Sequence, residues 1–300
     1  MFHMKHSIEG ENQFVVDLLT TLSNEKFSPL GWGRFLWRSW QMSCQTADDN
    51  PTLKRSWMWI TIWMGILSTV MLVSNMLVEG IDPTLRLLPG FLFCVLWQQS
   101  DLFWHLGLNR HVKTRILLPT VGFANTCTWL RGLGASYLLG RLVGGLTTPS
   151  SLTLLVFLCG IVTDILDGQI ARRTETQSKL GQIGDGEADF CLYLAITIIL
   201  IHNTVLPLWL GLIMLLRFGV PLIAALASYF LFAHPVRFGS TTWGKYAGLA
   251  QCLYFLVLLA PPQFTFITHV VNFPLLIVTL FLLLAAPTAQ IAQNVKATRK

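Results

Sequence analysis

Long apolar stretches separated by short polar segments dominate the chain after residue 56. A helix that crosses a bilayer needs about 20 mostly apolar residues, and the pattern predicts eight such helices. Short, uncharged connections such as Thr147–Ser151 and Pro261–Thr265 alternate with longer segments that carry most of the cations. The chain is therefore predicted to be an all-α, polytopic membrane helical bundle. The predicted spans are Trp57–Val78, Leu87–Trp104, Asn125–Leu146, Leu152–Leu166, Ala188–Ile201, Leu206–Leu231, Tyr246–Ala260 and Phe266–Ala289.

The basic segment His105–Arg115 separates the first two predicted spans from the later six. We predict four parts: a cytoplasmic or interfacial segment (1–56), two extra transmembrane helices with a basic connector (57–122), a six-helix membrane domain (123–290) and a basic cytoplasmic tail (291–300). Within the first part, Trp32–Trp40 alternates tryptophan with arginine, as expected of a helix in the headgroup layer. A short helix that binds a partner or caps the bundle would have the same pattern.

The composition agrees with a membrane protein. Only 12% of the residues are charged and 53% are hydrophobic, whereas a soluble domain carries about 25% charged residues. This composition argues against a soluble enzyme and excludes a disordered chain. The net charge of +6 then favours contact with anionic membrane lipids, and we expect no nucleic acid partner. The six cysteines show no metal-ligand spacing and are interpreted as small apolar residues.

The distribution of cations predicts the topology. With the N-terminus in the cytoplasm, almost all cations that flank the spans fall on the cytoplasmic side, and only Arg86 lies in an outer loop. An even number of spans places both termini in the cytoplasm. Arg141, near the outer end of its predicted helix, is expected to extend to the membrane surface.

Four aspartates interrupt this apolar pattern. Asp164 and Asp167 end one predicted span with i, i+3 spacing, and Asp185 and Asp189 begin the next with i, i+4 spacing. Each pair lies on one face of its helix, so antiparallel neighbouring helices would bring the four carboxylates together. Oxygen ligands without nearby histidine or cysteine favour Mg²⁺, Mn²⁺ or Ca²⁺ over zinc, and carboxylate-held ions suit phosphate chemistry. Taken singly, each aspartate could instead cap a helix or lie in a solvated loop.

The same stretch resembles the signature of the CDP-alcohol phosphatidyltransferase family. It fits the pattern Asp-x2-Asp-Gly-x2-Ala-Arg-x8-Gly-x3-Asp-x3-Asp with every spacing kept, and Asn125–Arg131 (NTCTWLR) is similar to the start of that family's first core helix. The resemblance implies a six-helix catalytic core over Asn125–Ala289, preceded here by about two added helices, and a homodimer. The pattern is filled by Asp164, Asp167, Gly168, Ala171, Arg172, Gly181, Asp185 and Asp189.

In this family the hydroxyl of an acceptor alcohol attacks a phosphorus of a CDP-linked lipid donor, and CMP leaves. The resemblance implies that Asp164, Asp167 and Asp185 hold two divalent ions, Mg²⁺ or Mn²⁺. It further implies that Asp189 is the general base and also contacts the second ion. The residues implied for CDP binding are Asn125, Arg131, Gly168, Ala171, Arg172 and Gly181.

The identity of donor and acceptor rests on weaker signals. Gly244–Gln251 is similar to the Gly-Lys-x-x-Thr-x-x-Gln stretch of phosphatidylglycerophosphate synthases, but Gly248 replaces the threonine. Ala171–Thr174 resembles the choline and ethanolamine phosphotransferases, although Gly186 stands where those enzymes usually have histidine. We therefore favour CDP-diacylglycerol as donor and a polyol or polyol phosphate as acceptor. Cations that could bind an acceptor phosphate are Lys179, Arg217, Arg237 and Lys245.

Three alternatives stay open at the level of sequence. The first is an aminoalcohol phosphotransferase acting on diacylglycerol. The second is a transporter with intramembrane acids, although such proteins tend to show internal repeats, and the third is a protein that only binds CDP-lipid.

Arg217 likewise has two interpretations, because a buried arginine can bind a phosphate or can pair with an aspartate of the site.

Overall fold

The computed structural model describes residues 19–232 and 242–298. Within these ranges the chain is helical, and β-structure is limited to isolated bridges, which confirms the predicted all-α membrane bundle. The long helices in chain order are α1 (Pro29–Asp49), α2 (Pro51–Glu79), α3 (Ile81–Trp104), α4 (Phe123–Val143), α5 (Ser151–Arg173), α6 (Lys179–His202), α7 (Leu208–Phe232), α8 (Thr242–Leu258) and α9 (Thr265–Thr298).

One helix, from α2 to α9, lies at each of the eight predicted spans. Three segments of the described chain are long and apolar enough to cross a bilayer by length and composition alone: Pro51–Glu79, Ser151–Arg173 and Phe266–Ala286. The central helix α4 falls short of this criterion because it carries buried polar side chains, among them Asn125 and Arg131. The protein is an integral membrane protein, and the eight crossings and their direction stay predictions.

Local sequence signals define where several helices begin. Proline occupies the first position of α1 and of α2. A backbone N–H at this position has no acceptor within the helix, so the lack of one in proline costs no hydrogen bond. Ser150 and Thr153 form a capping box at the start of α5. Ser178 caps α6 by accepting a hydrogen bond from the backbone N–H of Gly181 at 3.0 Å. The two helices that carry the aspartates therefore both begin at a serine cap.

Helix α4 lies at the centre of the bundle and packs against α3, α5 and α6. Helices α5 and α6 contact each other only sparsely, so α4 holds the two together. Small residues allow α3 to approach α4 closely: a β-carbon at Gly140 would lie 2.7 Å from the backbone nitrogen of Phe91, and one at Gly144 would lie 2.6 Å from the carbonyl oxygen of Arg86. Close approach at small residues is the usual way in which membrane helices pack.

The prediction that Arg141 extends to the membrane surface is wrong. Its side chain is buried, and Nη1 lies 2.6 Å from both carboxylate oxygens of Glu79 on α2. Tyr137 donates a hydrogen bond to Asn75 Oδ1 at 2.6 Å within the same group. A polar network therefore joins α2 to α4 near the end of α4 that is farther from Arg131. Sequence reasoning missed it because Glu79 is 62 residues from Arg141.

Candidate active site

The four aspartates of the signature lie together where the last turns of α5 meet the first turns of α6. Carboxylate oxygens of Asp164, Asp185 and Asp189 all lie within 4.8 Å of one another. Asp167 lies beside them and accepts a hydrogen bond from Thr128 Oγ1 on α4 at 3.0 Å. The i, i+3 and i, i+4 spacings thus place both pairs on the faces that meet at α4.

Arg131 on α4 occupies the centre of this aspartate cluster. Its Nη1 lies 2.5 Å from Asp164 Oδ1 and 2.6 Å from Asp189 Oδ1, and its Nη2 lies 2.8 Å from Asp167 Oδ2. Nη2 also forms an ion pair with Asp185 Oδ1. The Arg131 side chain is 0% exposed, so one buried guanidinium contacts all four carboxylates. Four ionised carboxylates around it would leave three uncompensated negative charges.

The aspartate cluster fits a divalent cation. Its ligand atoms are all carboxylate oxygens, the type that Mg²⁺ and Mn²⁺ prefer, and they already surround one positive charge. The Asp164 and Asp185 side chains are 51% and 45% exposed, whereas that of Asp167 is 10% exposed. The cluster is therefore open on the side of Asp164 and Asp185 and closed on the side of Arg131.

The glycines of the signature make room for side chains. A β-carbon at Gly181 would overlap Oδ1 of Asn125, and one at Gly168 would lie 3.1 Å from Nη1 of Arg172. Asn125 Nδ2 donates hydrogen bonds to the carbonyl of Val121 at 2.7 Å and to Ser178 Oγ at 3.0 Å. Gly181 thus lets α4 and α6 approach each other at Asn125, and Gly168 lets Arg172 fold back along α5.

Three of the four cations predicted for an acceptor phosphate lie within the described residues, and their surroundings differ. Lys179 and Lys245 are exposed, and Arg237 lies outside the described residues. Arg217 on α7 is partly buried and donates a hydrogen bond from Nη1 to Gln251 Oε1 on α8 at 3.2 Å. Its guanidinium lies 4.9 Å from the centre of the Phe218 ring. No carboxylate in the described ranges forms an ion pair with Arg217, although it lies near enough to Asp189 for their charges to interact.

Gly248 on α8 makes the position of the Arg217 guanidinium feasible. A β-carbon at residue 248 would overlap Nη2 and would lie 3.0 Å from both Cζ and Nη1. The departure from the Gly-Lys-x-x-Thr-x-x-Gln stretch therefore has a structural consequence, because the guanidinium fills the space that a larger residue would occupy.

The connector between α3 and α4 contributes to this end of the bundle, which sequence reasoning did not predict. Backbone hydrogen bonds join residues 110 and 112 to the loop between α5 and α6. At the end of α3, His105 Nδ1 lies 3.1 Å from Asp101 Oδ1. Burial alone would lower the pKa of His105, but the hydrogen bond and negative charge of Asp101 raise this pKa above its ordinary value. The one sequence signal for the connector was its run of basic residues.

Comparison with known proteins identifies the family. Residues 121–285, more than half of the chain, match the sequence model of the CDP-alcohol phosphatidyltransferase family. A CMP-forming cardiolipin synthase from Streptomyces coelicolor is 42% identical over 64 residues, which are 21% of this chain and 30% of that protein. The alignment thus spans less than a third of the relative, and no solved structure matches the chain. With the signature complete and its four aspartates gathered at one site, the chain belongs to the CDP-alcohol phosphatidyltransferase family.

Proposed function

We propose that the protein transfers a phosphatidyl group from CDP-diacylglycerol to the hydroxyl of a polyol or polyol phosphate and releases CMP. The observation that carries this proposal is the gathering of the four signature aspartates of α5 and α6 around Arg131 of α4 at one end of the bundle. The family match and the CMP-forming relative support the same chemistry. We further propose that this end of the bundle and both termini face the cytoplasm, and that the protein forms a homodimer.

We propose that Asp164, Asp167, Asp185 and Asp189 hold two divalent ions, Mg²⁺ or Mn²⁺. Such ions, when bound, supply positive charge for the phosphate oxygens as the bond to CMP breaks. The chain itself supplies a fixed cation in Arg131, whose side chain is buried and held by all four carboxylates. The donor nucleotide would lie along the other signature residues of α4, α5 and α6, namely Asn125, Gly168, Ala171, Arg172 and Gly181.

Asp189 is the proposed general base. An alcohol is a weak nucleophile until a positioned base takes its proton. The Asp189 side chain is 26% exposed, and Arg131 Nη1 contacts its Oδ1 at 2.6 Å, which orients the carboxylate. The acceptor oxygen would form a bond to the donor phosphorus as the bond from that phosphorus to CMP breaks, and the acceptor proton would pass to Asp189.

Arg217 is the proposed contact for an acceptor phosphate. It is the one cation of the predicted four that is both partly buried and near Asp189 within the described residues. Its Nη1 donates a hydrogen bond to Gln251, and no aspartate of the described ranges pairs with it, so its charge is available to an anionic ligand. An acceptor hydroxyl would then lie beside the base while the acceptor phosphate contacts the guanidinium.

The direct test is a CMP-release assay with purified protein in lipid vesicles containing Mg²⁺ or Mn²⁺. The donors are CDP-diacylglycerol and CDP-choline, and the acceptors are glycerol 3-phosphate, inositol phosphate, phosphatidylglycerol and diacylglycerol. We expect CMP from CDP-diacylglycerol with a phosphate-bearing acceptor, and none after chelation of the metal. CMP only from CDP-choline with diacylglycerol would replace the proposal with an aminoalcohol phosphotransferase. Release from neither donor would contradict an enzymatic role.

Gly248→Ala tests the placement of Arg217. A β-carbon at residue 248 would displace the guanidinium, so we expect the KM for a phosphorylated acceptor to rise about tenfold, or about 1.4 kcal/mol of binding free energy. The KM for CDP-diacylglycerol should stay unchanged. Gly219→Ala on α7 is the matched control, since its β-carbon would meet no atom within 4 Å. Equal kinetics for the two variants would contradict the role of Arg217.

A further inference from the structure

A hairpin-like turn over residues 109–118 lies beside the loop that joins α5 to α6. The N–H of Leu118 donates to the carbonyl of Asn109 at 2.8 Å, and the N–H of His111 donates to the carbonyl of Ile116 at 2.9 Å. This turn belongs to the connector between α3 and α4, residues 105–122, and nearly all of the connector precedes the part of the chain that matches the family, which begins at residue 121. The connector is therefore a feature of this chain beyond its family core.

The connector pairs with the loop on both sides of Ser178, the residue that caps α6. The N–H of Val112 donates to the carbonyl of Gln177 at 2.9 Å, and the N–H of Lys179 donates to the carbonyl of Arg110 at 3.0 Å. Lys179 is the first residue of α6, and the first N–H groups of a helix have no acceptor within it. A carbonyl of the connector thus completes the N-terminus of the helix that carries Asp185 and Asp189.

Asn109 anchors the connector to the same point. Its side chain is 0% exposed, and Nδ2 donates to the carbonyl of Thr120 at 2.7 Å and to that of Leu118 at 3.3 Å. Its Oδ1 accepts a hydrogen bond from Asn125 Nδ2 at 3.3 Å. Because Asn125 also contacts Ser178, a continuous set of hydrogen bonds leads from Asn109 to the start of α6.

We propose that Asn109 is a positioning residue for the aspartate cluster, acting through the connector and Ser178 on the placement of α6. Helices α5 and α6 contact each other sparsely, so the separation between Asp164 and Asp185 depends on the packing of both helices against α4 and on what holds the start of α6. Asp185 lies four residues beyond Gly181, or about 6 Å along the helix. The inference rests on the proposed function, since it assigns the aspartates to metal binding.

The test is Asn109→Ala in the full-length protein, with Mn²⁺ binding measured by electron paramagnetic resonance. We expect the affinity for Mn²⁺ to fall about 10- to 100-fold, the range found when residues that orient metal ligands are removed. Amide hydrogen exchange of residues 177–181 should become faster.

Asn203→Ala is the matched control. Asn203 caps the other end of α6 and donates hydrogen bonds to the carbonyls of Thr147 and Ile199, both at 2.7 Å. The Mn²⁺ affinity of the Asn203→Ala variant should stay within about twofold of the wild-type affinity, because the hydrogen bonds of Asn203 lie far from the aspartates.

Each outcome separates this inference from the proposed function. Unchanged Mn²⁺ affinity and unchanged exchange in Asn109→Ala would overturn the inference, as would equal losses of affinity in the two asparagine variants. If the wild-type protein bound no Mn²⁺, metal binding would fail as part of the proposed function, and the exchange of residues 177–181 would still decide whether Asn109 holds α6. Should Asn109→Ala fail to fold, Asn109→Asp keeps the size and Oδ1 while it removes the two donated hydrogen bonds.

Discussion

Replacing Asp189 with asparagine is expected to lower the rate of CMP release by about 10²- to 10⁴-fold, the usual contribution of a general base. Asparagine has nearly the same shape, and its carbonyl oxygen can still accept the hydrogen bond from Arg131 Nη1. The variant should therefore fold, and the other three aspartates should still bind Mn²⁺. What it loses is a carboxylate that can take the proton of the acceptor hydroxyl.

The measurement is CMP release from CDP-diacylglycerol, together with Mn²⁺ binding on the same preparation. Asp82→Asn is the control, because Asp82 is an exposed aspartate on α3 that pairs with Arg86 at 2.8 Å, outside the aspartate cluster. It should retain full activity. Full activity of an Asp189→Asn protein that binds metal would exclude Asp189 as the base.

Replacing Arg131 with methionine is expected to make the stability of the protein depend on divalent metal. The change leaves the four aspartates without their buried counter-charge, and loss of one partner from a buried ion pair costs about 3–5 kcal/mol. Added Mn²⁺ should recover much of this loss, since the ion supplies positive charge at the same carboxylates. The wild-type protein should respond less to the ion, because Arg131 already neutralises part of the cluster.

Thermal unfolding in detergent, with a chelator and then with Mn²⁺, measures this effect. Arg141→Met is the matched control, because Arg141 is a buried arginine on the same helix that pairs with Glu79 and with no aspartate of the cluster. Its unfolding temperature should fall, but its response to Mn²⁺ should be as small as that of the wild-type protein, because its aspartate cluster still contains Arg131. Identical metal responses of the two variants would contradict the role of Arg131 as the counter-charge of the aspartates.

The sequence predicts those features that depend on near neighbours in the chain. The spacing within each aspartate pair determines its helical face, so the meeting of Asp164 with Asp185 follows once α5 and α6 are known to be neighbours. The spans are predicted for a similar reason, since each is a continuous apolar stretch. The serine caps of α5 and α6 are also local signals.

Features that depend on distant pairs were missed. The resemblance assigned Arg131 to CDP binding, and nothing local places its guanidinium among carboxylates 33 to 58 residues away. The partner of Arg141 is equally distant. The connector pairs with the α5–α6 loop through backbone groups, which leave no pattern of side chains. The close approach of the Arg217 guanidinium to Gly248 depends on how α7 packs against α8. The single substituted position in the sequence does not reveal it.

The burial of Arg131 also bears on how the protein enters the membrane. A charged residue in a transmembrane helix costs up to about 2.5–3.5 kcal/mol to insert, the value at the helix centre, and α4, one of the predicted spans, leaves the ribosome before α5 and α6. Arg131 has no aspartate of the cluster beside it until those two helices have been synthesised. We therefore expect α4 to remain at the translocon until α5 and α6 have been synthesised. The three helices would then enter the lipid together.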